Sequence, residues 1–356
     1  MDNSGRGQIS APGSLEAGAV IAPDAPKVPD QDLGKLAAQY ELKLSGARPS
    51  LSQYLASLWQ RRHFIVGYAT ARNVSMYTDA KLGQVWQVLT PILNACVYYL
   101  IFGLLFETSR AVQHFPAYLV VGVFIFAFTE RSIVTGSNVM RANIQLIRAL
   151  YFPRASLPLA YVIVELQQML IGMIVVTLVM LASGQYPSWY WLLLVPAVFL
   201  QTLFNTGAAL IVARLGGAVA DVSELIPFFL RITRYFCGVM YLILPLANGR
   251  PHWVGQVLSL NPPAVFIALV RMAFMSTVRT NSAGNQPYNA AKCSFFLNNQ
   301  GRFIPGTHTA NWAWQAYCHA IVTNNDLWIA AVIWGVVFFA IGIVFFWQAE
   351  SVYGRG

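Results

Sequence analysis

Glu130, Arg131, Glu165, Arg231 and Arg234 are ionisable residues set inside long apolar runs. A charge at the centre of a membrane helix costs about 2.5–3.5 kcal/mol, so such residues either hold a partner or line a polar path. Arg231 and Arg234 stand at i and i+3, which puts both on one helix face. A cation pair of this kind suits a phosphate dianion. Two placements satisfy it: facing a polar path, or pairing with Glu224 while snorkelling to the interface. Along the chain only Asp221 and Glu224 are near enough to neutralise the pair. Arg131 and Glu165 each lie about nine residues into successive runs, and at about 1.5 Å per residue antiparallel neighbours reach similar depth. The sequence therefore predicts an Arg131–Glu165 contact, or one centred on Glu130, as polar glue inside a bundle.

Other chemistry is poorly supplied. The carboxylates Glu107, Glu130, Glu165, Asp221, Glu224, Asp326 and Glu350 are scattered, and no pair has metal-motif spacing. No Cys/His spacing has a zinc pattern. The chain lacks a G-x-x-x-x-G-K-[ST] phosphate loop, so it has no such route to ATP.

The elements that must position these residues are membrane spans. The 356 residues are 56% hydrophobic and 10% charged, with a mean hydropathy of +0.52, whereas a soluble domain carries about 25% charged residues. The net charge of +9 is scattered at the ends of apolar runs. That favours anionic lipid head groups over nucleic acid, for which no recognition pattern is present. Residues 86–106 form an uncharged run long enough to cross a bilayer. Further spans are expected at 115–138, 157–183, 189–214, 225–246 and 327–347, giving an all-α membrane protein with six transmembrane helices.

Basic residues in the short loops set the orientation. Arg61, Arg62, Arg72 and Lys81 precede the first span, Arg141, Arg148 and Arg154 lie between the second and third, and Arg214 follows the fourth. The turn at 184–188 has no cation. Both termini are then cytoplasmic. Residues 1–49 lack a signal-peptide core and read as a disordered cytoplasmic extension, with a short helix at 32–44. Leu51, Tyr54, Leu55, Leu58 and Trp59 recur at helical spacing behind Ser50, an N-cap. The helix at 50–66 either lies on the membrane surface or packs on a partner protein. Residues 247–326 are external. They contain two short apolar pieces, 253–260 and 264–275, split by Asn261-Pro262-Pro263, expected as a re-entrant helical hairpin or else as surface helices. A polar cap follows at 277–325.

These residues resemble one family. Arg72-Asn73, Tyr77, Leu82-Gly83, Trp86 and Pro91 are similar to the start of the ABC-2 type permeases. Asn143, Leu146-Ile147, Phe152-Pro153-Arg154 and Leu157-Pro158 resemble their first cytoplasmic loop, and Leu260-Asn261-Pro262 with Arg271 their external re-entrant segment. Within that family the pattern resembles the polysaccharide exporters for O-antigen, teichoic acid and actinobacterial galactan. The resemblance covers residues 50–356, a single transmembrane domain.

It implies a permease with no catalytic residue, metal or cofactor of its own. It further implies a homodimer in the plasma membrane, joined by two copies of a separate ATPase that binds ATP and Mg, exporting a lipid-linked polysaccharide. A coupling helix at 141–154 would seat Asn143, Leu146, Ile147, Arg148, Tyr151, Phe152 and Pro153 on that ATPase, with Pro153 stopping it; the plainer role is a turn joining two spans. Tyr98, Tyr99, Phe102 and Phe106 on the first span and Arg231, Arg234, Tyr235 and Tyr241 on the fifth would line the substrate path. There, aromatic faces stack on sugar C–H faces and the arginines attract the carrier's diphosphate. A drug or small-lipid exporter has the same span pattern. A membrane glycosyl- or acyltransferase would need a concentrated acid/base or metal cluster. A channel or secondary transporter often shows internal repeats, and none is found here.

Cys96 and Cys237 lie in spans as small apolar residues, while Cys293 and Cys318 fall in the external cap, where an oxidising compartment permits a disulfide. Non-reducing mass mapping is expected to recover Cys293 and Cys318 in one linked peptide; two free thiols would exclude the bond.

Overall fold

A computed structural model describes residues 50–76, 78, 81–101, 115–150, 152–240, 257–275 and 324–350. Among them there is no strand. Ser50 caps α1 (Leu51–Gln60), its hydroxyl accepting the Gln53 N–H at 3.4 Å. The expected 50–66 helix is in fact two. Arg61 leaves helical geometry, its N–H turning back to the Leu58 and Ser57 carbonyls, and α2 (Arg62–Ser75) restarts beyond it. Tyr54 and Leu58 form the buried stripe of α1, four residues apart, while Leu55 and Trp59 stay exposed.

Next come α3 (Trp86–Tyr98), α4 (Phe115–Ala142), the short α5 (Ile144–Ala149), α6 (Ser156–Ala182), a 3-10 turn (Trp189–Leu193) leading into α7 (Leu194–Ala218), α8 (Ala220–Phe236), α9 (Pro262–Phe274) and α10 (Asn324–Ala349). Four stretches are long and apolar enough to cross a membrane: Phe115–Ala142, Ser156–Ala182, Trp189–Ala218 and Asp326–Ala349. At about 1.5 Å per residue each exceeds the hydrocarbon thickness of about 30 Å.

The other two expected spans are shorter. Over residues 86–106, α3 widens into a π-helical turn at 99–101, and 102–114 lie outside the described residues. The helix expected at 225–246 instead begins at Ala220 and stops at Phe236, because Gly238 takes a left-handed φ of +62°. Residues 241–256 are also outside the described set. The expected coupling helix at 141–154 is cut to six residues, since α4 runs on to Ala142.

α4 is the hub. Two-thirds of its apolar window is buried (67%), against 22% for α10. It packs on α3, α6, α7, α8 and α9. Gln201 of α7 ties the hub from inside, donating to the Ile125 carbonyl at 2.9 Å and to Thr129 Oγ1 at 3.0 Å. The tightest crossing is α7 on α10, where small residues let backbones touch. A Cβ at Gly207 would strike the Phe338 carbonyl, and one at Gly342 would strike Gly207.

α9 is buried from Pro263 to Val265 and onward to Phe274, against α4, α7 and α10, and so does not lie on a surface. Its Arg271 is caged by backbone. It donates to the Tyr118 carbonyl at 3.1 and 3.0 Å, to Gly238 O at 2.9 Å and to Val239 O at 2.8 Å, and it lies over the Tyr118 ring. Two of these acceptors, Gly238 and Val239, lie in the turn just past the end of α8, outside any helix ladder. Gly122 is required beside this cage, because a Cβ there would meet the Arg271 guanidinium and Val239 O.

Gly207→Val is expected to destabilise the detergent-solubilised protein by about 1–3 kcal/mol or more through overpacking. Gly67→Ala, with nothing within 4 Å, should instead gain about 0.5–1 kcal/mol of helix stability. Thermal unfolding of the two variants checks both signs.

Candidate functional site

A cavity of about 360 Å³ opens between α3, α4 and α8. α3 lines it with Thr90, Asn94 and Tyr98, α4 with Glu130 and Arg131, and α8 with Pro227 and Arg234. Arg234 joins the three helices. Its Nη1 donates to the Tyr98 hydroxyl at 2.6 Å, its Nη2 pairs with Glu130 Oε2, and its guanidinium lies 5.3 Å from the Phe126 ring centre. The paired side chains are 20% and 23% exposed, so the pair is neither a screened surface contact nor fully dry. Arg234 Nε is buried and has no hydrogen-bond partner among the described residues.

This corrects two sequence expectations. Arg234 is neutralised by Glu130 from another helix, not by Asp221 or Glu224. Nor do Arg231 and Arg234 act together: Arg231 is exposed. The buried line of α8 runs through Ser223, Leu230 and Cys237. Arg234 follows Leu230 by four residues and stays near that line, whereas Arg231 follows by one and turns about 100° away.

Glu130 thus centres a polar contact, as one of the two expected alternatives had it. Arg131 does not hydrogen-bond Glu165. Its Nη1 donates to Gln168 Oε1 at 3.1 Å, one helical turn on. Glu165 is buried beside it, and its Oε2 has no hydrogen-bond partner among the described residues. Gln168 continues this contact into a net across four helices, α2, α3, α4 and α6. Asn73 Oδ1 accepts from Gln87 at 3.0 Å and from Gln168 at 3.4 Å, and Asn73 Nδ2 donates to Gln167 at 3.2 Å.

The segment around α5 is built from both sides. Asn143 accepts from the Tyr68 hydroxyl at 3.0 Å and donates to the Val139 carbonyl at 2.7 Å. Phe152 is buried, its ring against Phe64. Leu146 and Ile147 pack inward and Arg148 is exposed. Pro153 follows, and the Ser156 N–H bonds its carbonyl at 2.9 Å. Just beyond sits a clamp that the sequence reading missed. Tyr54 donates to Glu350 at 2.6 Å and accepts the Ala155 N–H at 3.2 Å, while the Arg154 N–H donates to Glu350 Oε1 at 3.0 Å. It unites α1, α6 and α10. Burial first, and the Glu350 carboxylate second, push the Tyr54 phenol well above its usual range.

Tyr98 and Arg234 therefore share a cavity. Tyr99 is half-buried beside Phe115, and Tyr235 is exposed. Phe102, Phe106, Tyr151, Tyr241, Cys293 and Cys318 lie outside the described residues. Uncharged polar residues within apolar runs (Gln87, Gln168, Gln201) were the visible signal for the missed contacts.

The pattern of the ABC-2 type transporter family matches residues 66–275, from α2 through α9. The chain is 25% identical over 201 residues to the O-antigen export system permease protein RfbA of Klebsiella pneumoniae, covering 56% of this chain and 75% of that protein. It is 22% identical over 205 residues to the RfbA permease of Myxococcus xanthus, covering 58% and 77%.

Tyr54→Phe removes a hydrogen bond to a charged group and is expected to lose about 1.5–3 kcal/mol at neutral pH. The raised phenol pKa makes the wild-type stabilisation complete below the unfolded value of about 10 and lost as pH climbs beyond it. Unfolding of both proteins between neutral pH and high alkalinity should show the gap closing.

Proposed function

This chain belongs to the ABC-2 type transporter family, and from that premise we propose that it is the permease subunit of an exporter for a lipid-linked polysaccharide. It is a multi-pass membrane protein, and its family works with an ATPase subunit. The observation that carries the polysaccharide reading is the match to O-antigen export permeases over three-quarters of their length.

In this reading two copies pair in the plasma membrane, both termini cytoplasmic, and each binds one ATPase. The ATPase holds ATP and Mg. Six segments cross: α3 and α8 complete the first and fifth crossings, while α9 with 253–260 forms the re-entrant hairpin. The segment Asn143–Pro153 couples ATPase movement to the bundle. The polymer, carried on a polyprenyl diphosphate, passes along Tyr98, Tyr99, Phe102, Phe106, Arg234, Tyr235 and Tyr241. Support comes from the aromatic and cationic lining of the cavity, since sugar rings stack on aromatic faces and phosphates pair with guanidinium groups.

The test is co-expression with the candidate ATPase. Wild type should co-purify with it and restore surface polymer in a permease-deficient strain. Arg148→Glu, an exposed change on α5, should leave helix content unchanged and weaken ATPase capture about tenfold or more, as expected for a lost interfacial charge contact. No capture and no polymer from wild type would reject the reading.

A further inference from the structure

We propose that the small space enclosed by α3, α4 and α6 is a site for one buried water, held by Glu165 and Gln87, which closes a polar ring running through α2, α3, α4 and α6. This space is distinct from the candidate substrate cavity, and the inference does not rest on the exporter reading.

Two atoms mark the site. Glu165 Oε2 and Gln87 Oε1 are buried and have no hydrogen-bond partner among the described residues. The two residues are 4% and 1% exposed, and both line the same space. Both atoms are acceptors, so they cannot bond each other; each needs a hydrogen brought from outside the pair. Nor can Gln87 turn its amide round. Its Nε2 donates to Asn73 Oδ1 at 3.0 Å, and a reversed amide would set two carbonyl oxygens face to face. Pro91, one helical turn on and lining the same space, adds to the shortage. Lacking an N–H, it offers the Gln87 backbone carbonyl no helical donor. An acceptor buried without a donor bears its full desolvation penalty.

What the space lacks is hydrogen, not charge. Its ionisable groups are Arg131 and Glu165, one of each sign. A hard metal cation takes about six oxygens or more, and here it would meet one carboxylate beside a guanidinium. An anion would meet Glu165. Size decides among the neutral donors that remain. The space offers about 10 Å³ to solvent centres, and about 10–15 Å³ on that measure holds one water. Phe124, Phe128 and Met169 wall it with apolar surface. A water donates two hydrogens, one for each orphaned oxygen, and its own oxygen can accept from Arg131, whose Nη1 already serves Gln168 at 3.1 Å. Buried waters make about two to four such bonds.

With the water in place the net closes. Gln87 and Gln168 both donate to Asn73 Oδ1, Arg131 donates to Gln168, Glu165 lies beside Arg131, and the water joins Glu165 back to Gln87. The helices are then held by a closed circuit in place of a chain with two unpaired ends. Pro91, Ala127 and Arg131 also line the larger α3–α4–α8 cavity, so the water stands behind one wall of that cavity.

The test is X-ray hydroxyl-radical footprinting of the full chain in lipid nanodiscs, in which a pulse turns a bound water into a radical that oxidises what it touches. α6 carries its own control. Met169 and Met180 are both buried, and of the two only Met169 lines the space. Met169 should be converted to the sulfoxide while Met180 is spared. Gln87→Leu removes one acceptor and should abolish labelling at Met169, with helix content and the protection of Met180 unchanged. The proposal is overturned if wild-type Met169 is as protected as Met180. It is equally overturned if Met169 is labelled as strongly in folded Gln87→Leu, since bulk solvent and not a held water then reaches it. An infrared band of a protonated carboxyl, present in wild type and lost in Glu165→Gln, also sinks it, because a proton on Glu165 then supplies the hydrogen assigned to the water. Should Gln87→Leu fail to fold, the wild-type labelling and the infrared band decide alone.

Discussion

A guanidinium group cannot sit bare among apolar helices, and two of them organise this structure. Arg234 is held by Glu130 and Tyr98, so α3, α4 and α8 meet at one point. Arg271 is held by backbone carbonyls of Tyr118, Gly238 and Val239. The first arrangement uses a full opposite charge. The second spreads the compensation over several peptide dipoles, with no carboxylate partner among the described residues. Both act on α8: Arg234 anchors its last turn, and Arg271 caps the chain where Gly238 ends it. The cavity owes its shape to this early stop. A helix continued past Phe236 would not bring Val239 round to line it.

The remainder of the bundle gives these charges a firm frame. Hydrophobic burial offers little net gain between helices already in lipid, so close approach and internal hydrogen bonds decide which helices pair. Gly207 and Gly342 bring α7 and α10 into backbone contact, and Gln201 ties α7 to α4. At one end of the bundle α1 and α2 attach through polar contacts as much as apolar ones. Ile65 and Ala69 bury against Ala160 and Val164, while Asn73 reaches Gln167. Tyr54, Arg154 and Glu350 tie that end to α10. The α5 segment is thereby tied to α2 through Asn143 on one side and to the end of α10 through Arg154 on the other.

What the sequence by itself determined was local. Long apolar runs identified the four long helices, because a chain in hydrocarbon must satisfy its own backbone. Ser50 announced the start of α1, and Pro153 and Pro262-Pro263 marked the α5 segment and α9. Glu130, Arg131, Glu165 and Arg234 stood out because charges are rare in such runs. Tertiary structure alone decided their partners. Arg234 meets Glu130 across 104 residues of chain, and Tyr54 meets Glu350 across 296; no periodicity encodes which helices become neighbours. It also decided that Arg234 turns inward and Arg231 outward, since that depends on where the buried stripe of α8 falls. The stop at Gly238 was equally hidden, because the apolar run continues past it and the Arg271 that bonds the carbonyls of Gly238 and Val239 comes from another helix.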